Sequence, residues 1–281
     1  MYPVCDLHTH STFSDGTRTP AQLVAQAQAI GLHAVALTDH NTVAGLPEFL
    51  NAARGTTLKA IPGVEISTGY HGKELHIVGL FVQPDQFETL TDFLRVITQR
   101  KNASNRALIA ALCQAGYELD YDEILGSHRG NVNRAVIASE LLRKGYVGSV
   151  KEAVETLLSE KHGYYVPPER ISSLEAIGFL RSIGAAPVLA HPFLSMSEGE
   201  IRAFLPEAKA YGLAAMETRY STYSPETTEN AIRIARECGL LESGGSDFHG
   251  DNKPDIQLGI GRGELTVPYS FAEKLAALQQ R

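Results

Sequence analysis

Apolar and polar positions follow two alternating patterns along the chain. Short apolar runs read as strands: "YPVCDL" (2–7), "AVALTDH" (34–40), "TLKAIPGVEIS" (57–67), "ELHIVGLFV" (74–82), "APVLAHP" (186–192), "LAAMETRY" (213–220) and "LLESGGSDFH" (240–249). Helical periodicity separates most of them. "PAQLVAQAQAIGL" carries Pro20 at a first-turn position, and "VAGLPEFLNAAR" carries Pro47 near its start. "SSLEAIGFLRSIG" and "PETTENAIRIARECG" supply two later helices. The third and fourth strands flank a turn holding Gly69 and Gly72. About seven strands with βα alternation predict a mainly parallel sheet or barrel.

The stretch from about 100 to 166 differs. "RKNASNRALIAALCQAG", "NRAVIASELLRKG" and "SVKEAVETLLSEK" are successive helical segments with no strand between them. The expected organisation is therefore a barrel from 1–100 and 167–281, with a helical insertion over 101–166 capping the active site. No internal repeat or low-complexity tract occurs.

Composition narrows the class. Hydrophobic residues make up 43% and charged residues 20%, which suits a globular chain of 281 residues. No apolar run reaches the roughly 18 residues of a membrane helix. The N-terminus lacks a basic stretch followed by an apolar one. Cys5, Cys113 and Cys238 form neither a CxxC pair nor a disulfide framework. These features predict a cytoplasmic location and no membrane partner. The formal charge of −7 and the absence of a basic run argue against a broad nucleic-acid-binding face, but not against a small anionic substrate. Three bound divalent ions would bring the chain close to neutrality and concentrate positive charge in one cleft.

Histidines and acids collect at the strand ends. His8 and His10 end the first strand, Asp15 lies in the following loop, and Asp39 and His40 end the second. Glu65 ends the third, His76 lies in the fourth, His191 ends the fifth, and Asp247 and His249 end the last. Strand ends in parallel α/β folds face one crevice. Residues i and i+2 of a strand share a face, so His8 can act with His10, and Asp247 with His249. Six imidazoles and three carboxylates, with no thiolate, suit two or three ions of Zn²⁺, Mn²⁺ or Fe²⁺. A lone HxH pair would be weak evidence and a lone Asp-Gly merely a turn, but nine such residues at six strand ends outweigh coincidence. His33 and His71 read as structural or surface residues, while His128 and His162 stay open.

The motifs "DLHTHSTFSDG", "LTDHNT", "PGVEIS", "LHIVGL", "VLAHP" and "GGSDFHG", in this order, resemble those of the PHP (polymerase and histidinol phosphatase) domain family. The resemblance spans nearly the whole chain. It implies a distorted (β/α)7 barrel with a trinuclear site and manganese as the favoured ion. His8, His10, Glu65 and Asp247 would hold one ion; Glu65, His76 and His191 a second, with Glu65 bridging; Asp15, His40 and His249 the third. The inserted helices and "YYVPP" are most similar to small bacterial members acting on 3′,5′-nucleoside bisphosphates and short 5′-phosphorylated oligoribonucleotides. By that resemblance the chain would remove a nucleoside 3′-phosphate and trim short RNA. The rivals are phosphatases of histidinol phosphate or another metabolite, C–N hydrolases with similar metals, and a non-catalytic PHP binding module.

The expected nucleophile is hydroxide between two ions, with His191 or Asp39 relaying a proton to the leaving alkoxide. Asp39 also suits an orienting role beside a ligand histidine. Other phosphatase chemistries fail on the string. Cys-x5-Arg is absent, since Ser11, Leu119 and Gly244 stand six residues after the cysteines. Asp120-Tyr121-Asp122 is followed by Glu123 and Ile124, not DxDx[TV], and no P-loop occurs. A second phosphate needs fixed donors, and Arg134 lies near a helix start in "NVNRAVIA". The related enzymes carry a similar Arg, often followed two residues later by His where Val136 stands here. Lys161, His162, Tyr164, Tyr165 and Arg219 are further candidates to line the cleft.

Overall fold

The computed structural model describes residues 3–127 and 132–280. Seven strands follow one another in chain order around a single sheet: β1 (Cys5–Asp6), β2 (Ala34–Leu37), β3 (Lys59–Tyr70), β4 (Lys73–Leu80), β5 (Ala186–Leu189), β6 (Ala215–Tyr220) and β7 (Leu241–Gly245). The helices α1 (Pro20–Ala29), α2 (Leu46–Ala52), α3 (Phe87–Gln114), α4 (Tyr121–Ser127), α5 (Arg134–Arg143), α6 (Val150–Glu155), α7 (Ser173–Ser182), α8 (Glu198–Ala210), α9 (Pro225–Glu237) and α10 (Tyr269–Ala276) complete the order. No helix among the described residues is long and apolar enough to cross a membrane.

All seven expected strands form, most of them shorter than their apolar runs. The strands β1, β2, β5 and β7 pass directly into ligand-bearing loops, which end their pairing. The strand β4 departs from the parallel pattern and runs antiparallel to both β3 and β5. A two-residue turn, His71 (φ 47°) and Gly72 (φ 78°), joins Tyr70 to Lys73. Gly69 is therefore a strand residue opposite Glu74, not part of the turn. The reversal brings His76 to the mouth from within its strand, and Glu65, expected to end the third strand, lies in the middle of β3, because the hairpin with β4 carries β3 on to Tyr70.

Helix starts follow local chemistry. Thr19 and Gln22 form a capping box before Pro20, Ser197 and Glu200 another before α8, and Ser224 caps α9. The helix α8 is absent from the expected set. It contains Pro206, and burial of Ile201, Phe204, Leu205 and Ala208 holds it in place.

Apolar side chains divide into three cores. Leu23, Phe49, Val64, Ile177 and Phe204 pack between helices and sheet. Leu7, Ile61, Val78 and Val188 pack together in a second core with Phe271 and Leu275 of α10. Leu108, Leu112, Ile137 and Leu141 form a third, within the helical block. The boundary expected at 100/101 falls inside α3. Leu90 and Leu94 of this helix join the first core, and Leu108 and Leu112 the third.

The sheet comes close to closing on itself. Leu7 N–H donates to the Gly244 carbonyl (3.2 Å) and Asp247 N–H to the His8 carbonyl (2.9 Å). Gly245 permits this approach, because a Cβ there would lie 2.4 Å from His8 Cβ and 2.5 Å from its amide nitrogen. Replacing Gly245→Ala should therefore cost about 1–3 kcal/mol by overpacking. Urea unfolding of ion-free protein measures it, and an unchanged midpoint would mean the seam has room to spare.

Candidate metal centre

The nine predicted ligands meet at the mouth of the barrel. Three of the loops that carry them are bent sharply. Asn41 (φ 52°), His191 (φ 28°) and Asp247 (φ 55°) are non-glycine residues at positive φ, a conformation costing on the order of 1–3 kcal/mol each. Each strained amide is tied into the site. Asn41 N–H donates to the Glu65 carbonyl (2.8 Å), His191 N–H to Glu217 Oε2 (2.7 Å) and Asp247 N–H to the His8 carbonyl.

Glu65 is the hub. Its Oε2 lies 3.0 Å from His40 Nδ1, 3.2 Å from His8 Nε2 and 3.3 Å from His10 Nε2. Its Oε1 lies 2.8 Å from His76 Nδ1 and 3.0 Å from His191 Nε2. The two oxygens thus face different histidines, as a bridging carboxylate requires. Asp247 Oδ1 is 3.2 Å from His10 Nε2, and Asp15 Oδ1 is 3.3 Å from His249 Nε2. The donor atoms gather as His10, Asp15, His40 and His249; His8, Glu65 and His191; His8, His10 and Asp247; and His40, Glu65 and His76. His10 thus joins the third expected set as well as the first.

Four buried atoms at this point, His8 Nε2, His10 Nε2, His40 Nδ1 and Glu65 Oε2, have no hydrogen-bond partner among the described residues. An unsatisfied buried polar atom costs about 1–3 kcal/mol. Four converging on one space, all nitrogen or oxygen, fit divalent ions that would satisfy them together.

A second layer sets the ligands' orientation, and the sequence reading missed much of it. Buried Glu217 holds His8 Nδ1 at 2.8 Å, which leaves Nε2 toward the cluster. Tyr220 OH (2.7 Å) and Lys253 Nζ (2.6 Å) both donate to Asp247 Oδ2, which leaves Oδ1 for the cluster. Asp39 is placed differently from the proton-relay expectation. Its carboxylate accepts from Ser11 N–H (2.7 Å), Ser11 Oγ (2.6 Å) and Ser14 Oγ (2.6 Å), so it is spent on fixing the loop that carries Asp15. Burial pushes its pKa up.

All of the ligands but His8 and His10 line a cavity of about 420 Å³ together with Tyr220, Lys253 and Val154. A second, of about 220 Å³, shares Asp15, His40 and His76 with it and reaches Lys101, Arg134, Tyr165 and Arg170. Arg134 is the first residue of α5, behind the cap Asn133. Its guanidinium lies 4.4 Å from the Tyr165 ring centroid and 3.6 Å from Glu74. Arg170 pairs with the same Glu74 at 2.7 Å. Burial lowers the pKa of Lys101. Burial would raise that of Glu74, but His76 and Arg170 hold it far below the carboxylate range.

Other candidates lie elsewhere. Lys161 and His162 are exposed on a short turn and line neither cavity. Tyr164 is half-buried against the third core. Arg219 lines a separate hollow. A bulge between Glu217 and Arg219 breaks the i, i+2 register, so Glu217 faces the ligands and Arg219 does not. His33 and His71 are exposed, as expected, and His128 lies outside the described residues.

Comparison with known proteins agrees with this geometry. The sequence profile of the PHP domain matches residues 6–166. A 5′-3′ exoribonuclease of Haemophilus influenzae is 33% identical over 249 residues, covering 87% of this chain and 89% of its own. A 3′,5′-nucleoside bisphosphate phosphatase of Chromobacterium violaceum is 29% identical, covering 87% and 86%. A candidate metal-dependent phosphoesterase from Bifidobacterium adolescentis superposes with a TM-score of 0.87 at 28% identity, covering 98% of this chain and 96% of its own.

Glu65→Gln should reduce bound Mn²⁺ more than loss of any terminal ligand such as His76→Ala. Elemental analysis of loaded protein decides, and an undiminished ion content would remove Glu65 as a bridge. Protonation supplies a second test. Burial lowers the pKa of His76, but Glu65 and Glu74 raise it to about 10 in the ion-free chain. His8 likewise lies well above its ordinary value, through Glu65 and Glu217 acting against burial. A raised histidine stabilises the ion-free fold fully below about pH 6.5, and for His76 that contribution is lost as pH rises through about 10. Ligation requires neutral imidazole, so Mn²⁺ should release protons on binding and bind more tightly as pH rises over that window. Weakly buffered titration with a pH electrode shows this, and binding without proton release would contradict it.

Proposed function

The chain belongs to the PHP domain family and is a metal-dependent hydrolase of phosphoester bonds, and from that premise we propose that it removes the 3′-phosphate of nucleoside 3′,5′-bisphosphates. The products are nucleoside 5′-monophosphate and phosphate. One observation carries this reading. The pocket of Lys101, Arg134 and Arg170 adjoins the ligand cluster through Asp15, His40 and His76. Lys101, Arg134 and Arg170 share this lining with Glu74, Asp15 and Glu169. Asp15 belongs to the ligand cluster and Glu169 pairs with Arg100 at 3.2 Å, which leaves the three cations facing Glu74, a setting suited to a phosphate dianion that does not react.

Divalent ions held by the nine ligands, manganese being the favoured one, would neutralise phosphoryl oxygens and lower the pKa of coordinated water. The chain's own residues then position the substrate. Arg134 and Arg170 hold the 5′-phosphate, and the ring of Tyr165 supports the Arg134 guanidinium. His191, 12% exposed at the cleft wall, is the candidate to give a proton to the departing 3′-oxygen. A short 5′-phosphorylated oligoribonucleotide offers the same two phosphates in the same order, which extends the reading to RNA ends. Histidinol phosphate suits the site less well, because its amine is cationic and would face Lys101, Arg134 and Arg170.

Arg134→Ala should lower kcat/KM on a 3′,5′-bisphosphate by about 10- to 150-fold, the worth of a charge-assisted contact of roughly 1.5–3 kcal/mol. An aryl phosphate, whose one phosphate goes to the ions, should scarcely respond. Steady-state kinetics on both substrates test the proposal, and equal losses on both would take the second phosphate away from Arg134.

A further inference from the structure

Three hollows are linked one to the next by shared lining residues. The Arg134 pocket shares Asp15, His40 and His76 with the ligand cavity, and the ligand cavity shares Tyr220 with a third hollow of about 640 Å³. The two outer hollows have no lining residue in common. The third lies where β6 gives way to α9, and Arg219, Tyr223, Ser224, Thr228 and Arg262 contribute to it. Arg219 is its notable group. The residue is half-buried, and its guanidinium makes no hydrogen bond or ion pair with any described residue. Arg262, by contrast, is paired with Asp255 at 2.7 Å. The one acid lining the hollow, Glu264, is exposed. A partly desolvated, unpaired cation in a large hollow lined with hydroxyls is suited to an anionic ligand.

We propose that this third hollow receives the 3′-side chain of an oligoribonucleotide, with Arg219 contacting a backbone phosphate downstream of the bond that is cut. The inference rests on the placement of the 5′-phosphate at Arg134. Once that end is fixed, the polarity of the strand dictates the rest. The first 3′-phosphate meets the ligand cluster, and the following nucleotides must leave past Tyr220, on the side away from Arg134. Water oxygen adds to the scissile phosphorus, the P–O3′ bond breaks, and the 3′-oxygen takes up a proton. The products are a nucleoside 5′-monophosphate and an RNA one residue shorter that keeps the phosphate as its new 5′ end. A bisphosphate has no such tail and does not reach Arg219. The hollow therefore separates the two substrate classes.

The experiment compares Mn²⁺-loaded wild type, Arg219→Ala and Arg219→Lys on a nucleoside 3′,5′-bisphosphate and on a 5′-phosphorylated tetraribonucleotide, across a salt series. Arg219→Ala should lower kcat/KM on the tetranucleotide about tenfold and leave the bisphosphate unchanged. Loss of one phosphate contact should flatten the logarithmic salt dependence on the tetranucleotide by about 0.7. Arg219→Lys should recover most of the loss and the slope, which general damage to the fold would not allow. Equal losses on both substrates, or none on the tetranucleotide, would overturn the proposal. Wild type that hydrolyses the bisphosphate but not the tetranucleotide would overturn it too and leave the bisphosphate reading standing. Hydrolysis of neither would overturn both.

Discussion

A carboxylate buried among five imidazoles governs the mouth of this barrel. Glu65 could not remain ionised there alone, because an unpaired buried charge costs several kcal/mol. Burial raises its pKa, yet His40, His8 and His76 hold it well below the ordinary carboxylate range. The surrounding loops follow from the need to bring those rings to one point. His40 reaches Glu65 across a parallel bridge between their backbones, and the left-handed bends at Asn41, His191 and Asp247 are each secured by a backbone N–H that donates a hydrogen bond to a neighbouring site residue. Strain is stored where the ligands must turn inward and is offset by hydrogen bonds that the same turn creates.

Charge is distributed around that hub in layers. Next to the ligands stand groups that fix a tautomer or an oxygen: Glu217 on His8, Tyr220 and Lys253 on Asp247, and Asp39 on the serines of the Asp15 loop. His10 is pushed down to about 3 by burial and then by His249 and His40, so it is held neutral, as ligation requires. Beyond them lie cations, with Lys101, Arg134 and Arg170 on one flank and Arg219 on the other. A chain of formal charge −7 thus gathers cations where a phosphate ester would lie.

The helical block contributes to this layout without belonging to the sheet. Its own core of Leu108, Leu112, Ile137 and Leu141 lets it present Arg134 and Tyr165 on a packed support. The helix α3 anchors the block by entering the barrel's core at one end and the block's core at the other. Lys101 lies between the two ends, where the helix passes the cleft.

The sequence by itself determined the seven strands, most of the helix starts and the nine histidines and acids that meet at the barrel mouth. These are short-range signals: an HxH pair, a Ser or Thr cap ahead of an acid or amide, and a histidine or acid following an apolar run. Only the tertiary structure decided the rest. Glu217, Tyr220 and Lys253 are single polar residues whose partners lie up to 209 positions away, so no local pattern marks them. Lys101 and Arg170 meet only because Glu74 draws cations from separate elements to one carboxylate. Asp39 reads as a neighbour of a ligand, but which way its carboxylate points depends on Ser11 and Ser14 in another loop. A one-residue bulge removed Arg219 from the expected cleft, since strand alternation assigns faces only while register is kept. The reversal of β4 was legible, because the turn holding Gly69 and Gly72 is too short for the crossover a parallel neighbour needs; its antiparallel pairing with β5 as well was decided only when the sheet formed.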